Sequence, residues 1–261
     1  MSRHEVAQKL RTHWLGRDLH LLEQVGSTND EAASRARAGA PHGTVVIADA
    51  QSIGRGRQGH QWYSPPGHNL YLSAILRLAM PPNAVPPLTL AAGIATCEVA
   101  RCLGVPASLK WPNDVLVGGR KLAGILAEMS TRGATTEVVI LGVGMNVNST
   151  TFPQDLSRTA TSLRIERGGE AMDRADVLAL LLFELERWIN LFVSEGAPAI
   201  VSAWKERTHF LGQRVSVKVE DKVVTGWAMD VDADGALLLG REDGTSLRVL
   251  SGEVTLPEGE P

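Results

Sequence analysis

At 261 residues and 44% hydrophobic content, the chain is long enough for one large domain, or a large and a small one, with a substantial core. A formal net charge of −3 and a pI near 6.2 leave no general basic footprint for nucleic acid, so any anion site has to be local. The Met1–Glu5 start has no apolar signal core and no run approaches the ~18 residues of a membrane span, which makes the cytoplasm the default expectation.

Residues 3 to about 15 have the composition of a short helix. Leu19–Val25 alternates loosely and reads as a strand entering Gly26-Ser-Thr-Asn29. Thr28 and Glu31 fit a capping box that opens a helix to about Ala38, with Gly39 ending it. Free N–H groups and hydroxyls at such a helix start also suit a polar ligand. On local grounds, capping and ligand binding both stay open for Ser27, Thr28 and Asn29.

Thr44–Ala50 is an apolar strand that leads into Gln51-Ser-Ile-Gly-Arg-Gly-Arg-Gln-Gly-His-Gln-Trp62. Gly54, Gly56 and Gly59 let this backbone turn tightly and approach a ligand. Arg55 and Arg57 bring guanidinium forks suited to carboxylate or phosphate. The spacing satisfies G-x-G-x-x-G, but a dinucleotide fingerprint needs a helix at the third glycine and an acid about 20 residues on. The continuation through Pro65, Pro66 and Gly67 cannot open a helix, and no Asp or Glu lies between residues 50 and 97. The Rossmann reading fails; a local anion cradle and a solvated basic turn are the alternatives.

Asn69–Leu76 is a further core strand, and the Pro81-Pro82 and Pro86-Pro87 pairs bracket a linker. Apolar residues recur at helical spacing from Leu88 to Leu103, until Gly104 and Pro106 stop the helix. Ser108–Trp111 ends a strand at Pro112. Val115–Val117 and Lys121–Ala127 flank Gly118-Gly119, which suits a tight hairpin, and Thr136–Asn146 adds a strand. Short turns between successive strands predict a largely antiparallel sheet with helices packed on one side. Asp173 caps a long helix with an apolar stripe through Val177, Leu181, Leu185, Trp188 and Phe192, and a second helix covers about 197–207.

From about Leu211 the texture changes to short strands at 214–219, 222–231, 236–239, 246–250 and 253–256, joined by acidic turns such as Glu220-Asp221. Cys97 and Cys102 lie in one helix on diverging faces, so neither a disulfide nor a metal pair is expected. The seven histidines have no H-x-x-x-H or C-x-x-C partners, which argues against a protein-built zinc site.

In combination, Gly26-Ser-Thr-Asn29, Gly54-Arg-Gly-Arg57, Lys110-Trp-Pro-Asn-Asp114 and Lys121-Leu-Ala-Gly-Ile125 resemble, in order, the motifs of biotin protein ligases. The resemblance covers roughly residues 20 to 257. It implies an α+β fold of the class II aminoacyl-tRNA synthetase and biotin–lipoate ligase type: a largely antiparallel mixed sheet with helices over residues 1–208, and a C-terminal SH3-like β-barrel over 209–261. It also implies ATP-dependent ligation of biotin to a lysine of a carboxylase's biotin carboxyl carrier domain, through biotinyl-5′-AMP with release of pyrophosphate.

By the same resemblance, Ser27, Thr28, Asn29, Gln51, Arg55, Gly56, Arg57 and Lys110 correspond to biotin-binding positions, with Gln51 on the ureido group. Arg57, Trp62, Asn113, Lys121 and Asn146 correspond to positions that hold ATP or the adenylate. Lys110, with Arg55 and Arg57, would carry catalysis. A lysine at a strand end is costly to bury unless an anion pairs with it, and in the family it contacts the biotin carboxylate and the α-phosphate. Neither step needs an enzyme nucleophile, only positioning and cationic stabilisation of two anions that repel each other. Mg²⁺ would be held mainly by phosphates and waters, with Asp114 a structural acceptor near it and no metal site built by protein alone.

Where many relatives read Gly-Arg-Gly-Arg-Arg-Gly-Arg-x-Trp, this chain has Gln58 and His60, so two cations of the loop are replaced. Biotin is expected to order the loop before ATP binds. Three rival readings stand beside the ligase. A lipoate-type ligase shares the adenylating fold, and a non-catalytic biotin or nucleotide sensor would keep Ser27, Gln51 and Lys110. A DNA-binding repressor is disfavoured, because only about 20 residues precede the first motif. Self-association as a homodimer through the sheet stays open.

Overall fold

The computed structural model describes residues 1–219 and 222–255. Its centre is a seven-stranded sheet in the order β1-β2-β3-β7-β6-β5-β4. The strands are β1 (Leu19–Val25), β2 (Val45–Gln51), β3 (Leu70–Leu76), β4 (Ser108–Lys110), β5 (Asp114–Val117), β6 (Arg120–Arg132) and β7 (Thr135–Met145). Only β1 and β2 run parallel; every other pair is antiparallel. The expected mixed, largely antiparallel sheet is therefore present. The β5–β6 turn has Gly118 at φ 54° and Gly119 at φ 77°, the left-handed pair that a two-residue hairpin demands.

Among the described residues six α-helices surround the sheet: α1 (Arg3–Lys9), α2 (Thr28–Arg37), α3 (Pro87–Cys102), α4 (Leu163–Glu166), α5 (Arg174–Glu195) and α6 (Ala197–Lys205). They do not all lie on one side, as the strand pattern suggested. Leu70, Leu72, Ala74 and Leu76 of β3 and Val139, Leu141, Val143 and Met145 of β7 face α3 and α5 in the main core. The alternate residues Ile75, Val138 and Ile140, with Val46, face Ala32 and Ala36 of α2 on the opposite side. The two-residue period of a strand produces both faces at once. Fully burying each Leu, Ile or Val among them contributes roughly 1.5–3 kcal/mol.

The N-terminal helix also differs from expectation, ending at Lys9 instead of near residue 15. The next backbone segment is taken up by a buried carboxylate: Glu186 of α5 accepts from the N–H groups of His13, Trp14 and Leu15 at 2.7–2.8 Å. Three such bonds satisfy a charge that would otherwise be costly to bury.

The C-terminal strands are β8 (Arg214–Val219), β9 (Lys222–Val231), β10 (Leu237–Gly240), β11 (Ser246–Val249) and β12 (Glu253–Thr255). They form one antiparallel sheet in the order β11-β10-β9-β8-β12. Among the described residues β12 pairs only with β8 and β11 only with β10, so the sheet is not closed into a barrel. The turn at Glu220-Asp221 and the strand end at Leu256 lie outside the described residues. Val215, Val217, Leu237 and Leu239 join the main core. At the junction Trp111 Nε1 donates to Gly235 O (2.9 Å), Leu109 N to Arg207 O (2.8 Å) and Thr208 Oγ1 to Leu109 O (2.7 Å). The Lys110–Asp114 block thus sits where the two sheets meet. Among the described residues no helix is long and apolar enough to cross a membrane.

Candidate active site

On the α2 side of the sheet, past the apolar patch, β7 changes from Val138 and Ile140 to Gly142 and Gly144, with Gly124 of β6 paired to Gly144. The missing side chains open a hollow over the strands, and larger residues fill it from above. A Cβ on Gly142 would lie 2.3 Å from Asn29 Oδ1, and one on Gly144 2.5 Å from the Trp62 ring. Trp62 therefore lies flat on bare backbone, and Asn29 reaches into the same floor. The resulting pocket has a volume of about 720 Å³, within the range of small-molecule sites.

One end of the pocket is uncharged. Ser27 is the N-cap of α2 but makes no side-chain cap bond, so the capping box expected at Thr28 and Glu31 does not form. Those groups are used elsewhere. Gln51 Oε1 accepts from Thr28 N (2.8 Å) and Thr28 Oγ1 (3.1 Å), while Gln51 Nε2 donates to Ser64 Oγ (2.9 Å). Ser64 in turn donates to Trp62 O (2.9 Å). The Ser73 hydroxyl of β3 lies within reach of Thr28 Oγ1 (2.8 Å) and Asn29 Oδ1 (2.6 Å). Thr28, Asn29 and Ser73 are buried and form a connected polar network with Gln51 and Ser64, and Ser27 is buried beside it.

The other end is cationic. Lys110 closes β4 and Asp114 opens β5, so the hairpin brings them together: Lys110 Nζ lies 3.6 Å from Asp114 Oδ2. Lys121, near the start of β6, places its Nζ 2.7 Å from Asp114 Oδ1 and 5.5 Å from the Trp62 ring centroid, a cation–π distance. Arg57 enters from the loop, its Nη1 3.5 Å from Asn113 Oδ1. Burial pushes the Arg57 guanidinium below its ordinary pKa, and the Asp114 charge pulls it back. Three cations around one carboxylate leave two positive charges facing the cavity, an arrangement suited to a polyanion.

Asn113 Nδ2 donates to Ile125 O (2.9 Å), pinning the Lys110–Asp114 turn to β6. Asn146 is buried, with Nδ2 donating to Thr161 O (2.9 Å) and to Lys121 O (3.4 Å). Trp62 Nε1 is buried and makes no hydrogen bond among the described residues. Arg55 turns its guanidinium onto Asp30 (2.7 Å) and Glu128 (2.9 Å). Among the positions singled out from sequence, Ser27–Asn29, Gln51, Arg55–Arg57, Trp62, Lys110, Asn113, Asp114, Lys121 and Asn146 all line this one pocket.

Several lining residues had not been singled out. Gly124, Gly142 and Gly144 form the floor, and Ser73 and Ser64, behind the lining, complete the polar network. Phe152, Leu156 and Ala160 wall the pocket beside Lys121, where the 159–161 segment pairs with β6, and Gly252–Thr255 reach its rim from the C-terminal sheet. The glycines had a readable signal: alternate glycines inside a strand mark a close approach. The rest follow from tertiary proximity alone.

A model of the Biotin/lipoate A/B protein ligase family matches residues 21–146, and one of the Biotin protein ligase C terminal domain matches residues 210–256. The chain is 39% identical over 249 residues to the biotin--[acetyl-CoA-carboxylase] ligase of Mycobacterium tuberculosis, covering 91% of this chain and 88% of that protein. The chain belongs to the biotin protein ligase family. Another biotin ligase relative is the bifunctional ligase/repressor BirA of Escherichia coli, 34% identical over 246 residues, covering 94% of this chain and 76% of that one. The biotin protein ligase of Aquifex aeolicus, solved in complex with biotin and ATP, superposes with a TM-score of 0.77 at 30% identity, covering 92% of this chain and 98% of that chain.

Proposed function

We propose that the protein is an ATP-dependent biotin–protein ligase acting in the cytoplasm. The carboxylate oxygen of biotin attacks the α-phosphorus of ATP and pyrophosphate leaves, giving biotinyl-5′-AMP. A lysine amine on the biotin carboxyl carrier domain of a carboxylase then attacks the acyl carbon. An amide forms, AMP leaves and the amine loses its proton. The observation that carries this reading is that one pocket joins a neutral hydrogen-bonding end to a cationic end.

In this reading the ureido ring lies at the neutral end, against Ser27, Thr28 and Gln51, with Asn29 holding that end in shape. Lys110 stands where the biotin carboxylate meets the α-phosphate. It stabilises charge as that charge passes from one anion to the other, and Arg57 assists from the loop. Lys121 faces the phosphates, and Trp62 with Asn113 and Asn146 frames the nucleotide. Mg²⁺ arrives with ATP and is held by phosphates and water; the Asp114 oxygens are engaged by Lys110 and Lys121, so Asp114 orients those cations. Residues 1–208 act as the catalytic unit, and 209–261 form a second unit whose β12 reaches the pocket rim.

Intact-mass analysis of a carrier domain incubated with the enzyme tests the whole reaction. The reading predicts one biotinyl addition that requires both ATP and biotin, with AMP and pyrophosphate as co-products. Binding of biotin with no pyrophosphate and no mass shift would identify a sensor instead.

A further inference from the structure

Arg55 and Arg57 lie two residues apart in one loop, yet they point at different chemistry. Gly56 between them is extended (φ −108°, ψ −170°), so the flanking side chains diverge. Arg57 turns inward to Asn113. Arg55 turns onto two carboxylates, its Nη2 lying 2.7 Å from Asp30 Oδ1 in the first turn of α2 and 2.9 Å from Glu128 Oε2 on β6.

The same Glu128 oxygen accepts from Asn29 Nδ2 at 2.7 Å. Asn29 is itself buried, its Oδ1 lies 2.6 Å from the Ser73 hydroxyl, and its Nδ2 also reaches Leu126 O at 3.3 Å. One carboxylate therefore joins three elements: the glycine–arginine loop, the first turn of α2 and strand β6. At its other end the loop is held more loosely, with His60 Nε2 3.8 Å from Glu253 Oε2 and both side chains exposed.

We propose that Glu128 is a positioning residue for the reaction, with Asp30 as its partner. It fixes Arg55, and with it the closed loop, to the same Asn29 that shapes the neutral end of the pocket. Opening the loop removes one of the two partners on the Glu128 oxygen and loosens Asn29, so loop closure and the order of the neutral end rise and fall together. Arg55 is then the loop's anchor, and Arg57 its cation for the ligand. The link to biotin rests on the function proposed above; the link between Glu128 and the loop does not.

The test uses the full chain and two measurements: hydrogen exchange of amides 52–62 in the free protein, and pyrophosphate release as a function of biotin concentration. Glu128→Gln keeps the volume and an acceptor for Asn29 but removes the charge that holds Arg55. The expected result is faster loop exchange and a KM for biotin raised roughly three- to tenfold, with kcat changed by less than about twofold. Asp30→Asn, at an exposed position, shifts both measurements the same way by less, and carries the test if Glu128→Gln does not fold. With Arg55→Met already in place, Glu128→Gln adds no further loop exchange, because its partner is gone.

Loop exchange and KM equal to wild type in the variants that fold would overturn the proposal. So would a Glu128→Gln effect on exchange that adds in full to Arg55→Met. If the wild-type protein releases no pyrophosphate with biotin, the functional reading fails, while the exchange measurements still decide whether Glu128 holds the loop.

Discussion

The two ends of the pocket are built on opposite principles. At the α2 end, Thr28, Asn29, Gln51, Ser64 and Ser73 bond mainly to one another, and the hydroxyl of Ser27 is left without a partner among the described residues. At the other end Lys110 and Lys121 share Asp114, and Arg57 has only a long contact to Asn113. The first end is largely satisfied by its own hydrogen bonds, with the Ser27 hydroxyl left over, and is suited to recognition by shape and direction. The second is left positive and is completed by the ligand's own charge. A reaction that holds a neutral heterocycle still while joining two anions needs both, at a fixed separation.

The largest expected effect lies at the charged end. Lys110→Ala should lower pyrophosphate release with biotin by roughly 10²–10³, about 3–4 kcal/mol, as for loss of one preorganised donor. Turnover near wild type would remove Lys110 from the chemistry and collapse the distinction between the ends.

The floor glycines separate the two ends more finely. A methyl at Gly142 collides with Asn29, and one at Gly144 with Trp62. Each forced shift costs about 1–3 kcal/mol, by analogy with overpacking elsewhere. Calorimetric titration should show Gly142→Ala weakening biotin and Gly144→Ala weakening ATP. Equal losses of both ligands in each variant would contradict the division of the pocket.

Gln51→Ala removes an acceptor shared by Thr28 N and Oγ1. The KM for biotin should rise by about tenfold, the scale of one or two hydrogen bonds, with the KM for ATP little changed. The smallest effect is that of salt. Raising ionic strength from about 0.05 to 0.2 M shortens the screening length, so the KM for ATP should rise a few-fold and that for biotin less. A steeper dependence for biotin would place charge at the wrong end.

Much of this was legible in the sequence, for definite reasons. Strand alternation in Asn69–Leu76, the Gly118-Gly119 turn and the Asp173 cap are local signals, and the structure follows them. The Lys110–Asp114 and Gly54–Arg57 blocks are contiguous, so they could be read before their partners were known. What could not be read depended on distant residues. α1 stops early because Glu186, far along the chain, takes its following N–H groups. Thr28 does not cap because Gln51 and Ser73 claim it. α2 lies on the second face of the sheet because Ile75, Val138 and Ile140 alternate with core residues that the same strands send the other way. Arg55 reads as a ligand cation from the loop alone; its ion pairs with Asp30 and Glu128 come from elements distant in the chain.

The two-ended pocket is tested most directly by pyrophosphate release from ATP, with no acceptor protein present, using biotin, lipoate and octanoate in turn as the acid. Release is expected with biotin and little with the other two, because the neutral end is shaped for a hydrogen-bonding ring. Release with lipoate or octanoate at the rate seen with biotin would contradict that assignment of the Ser27–Gln51 end.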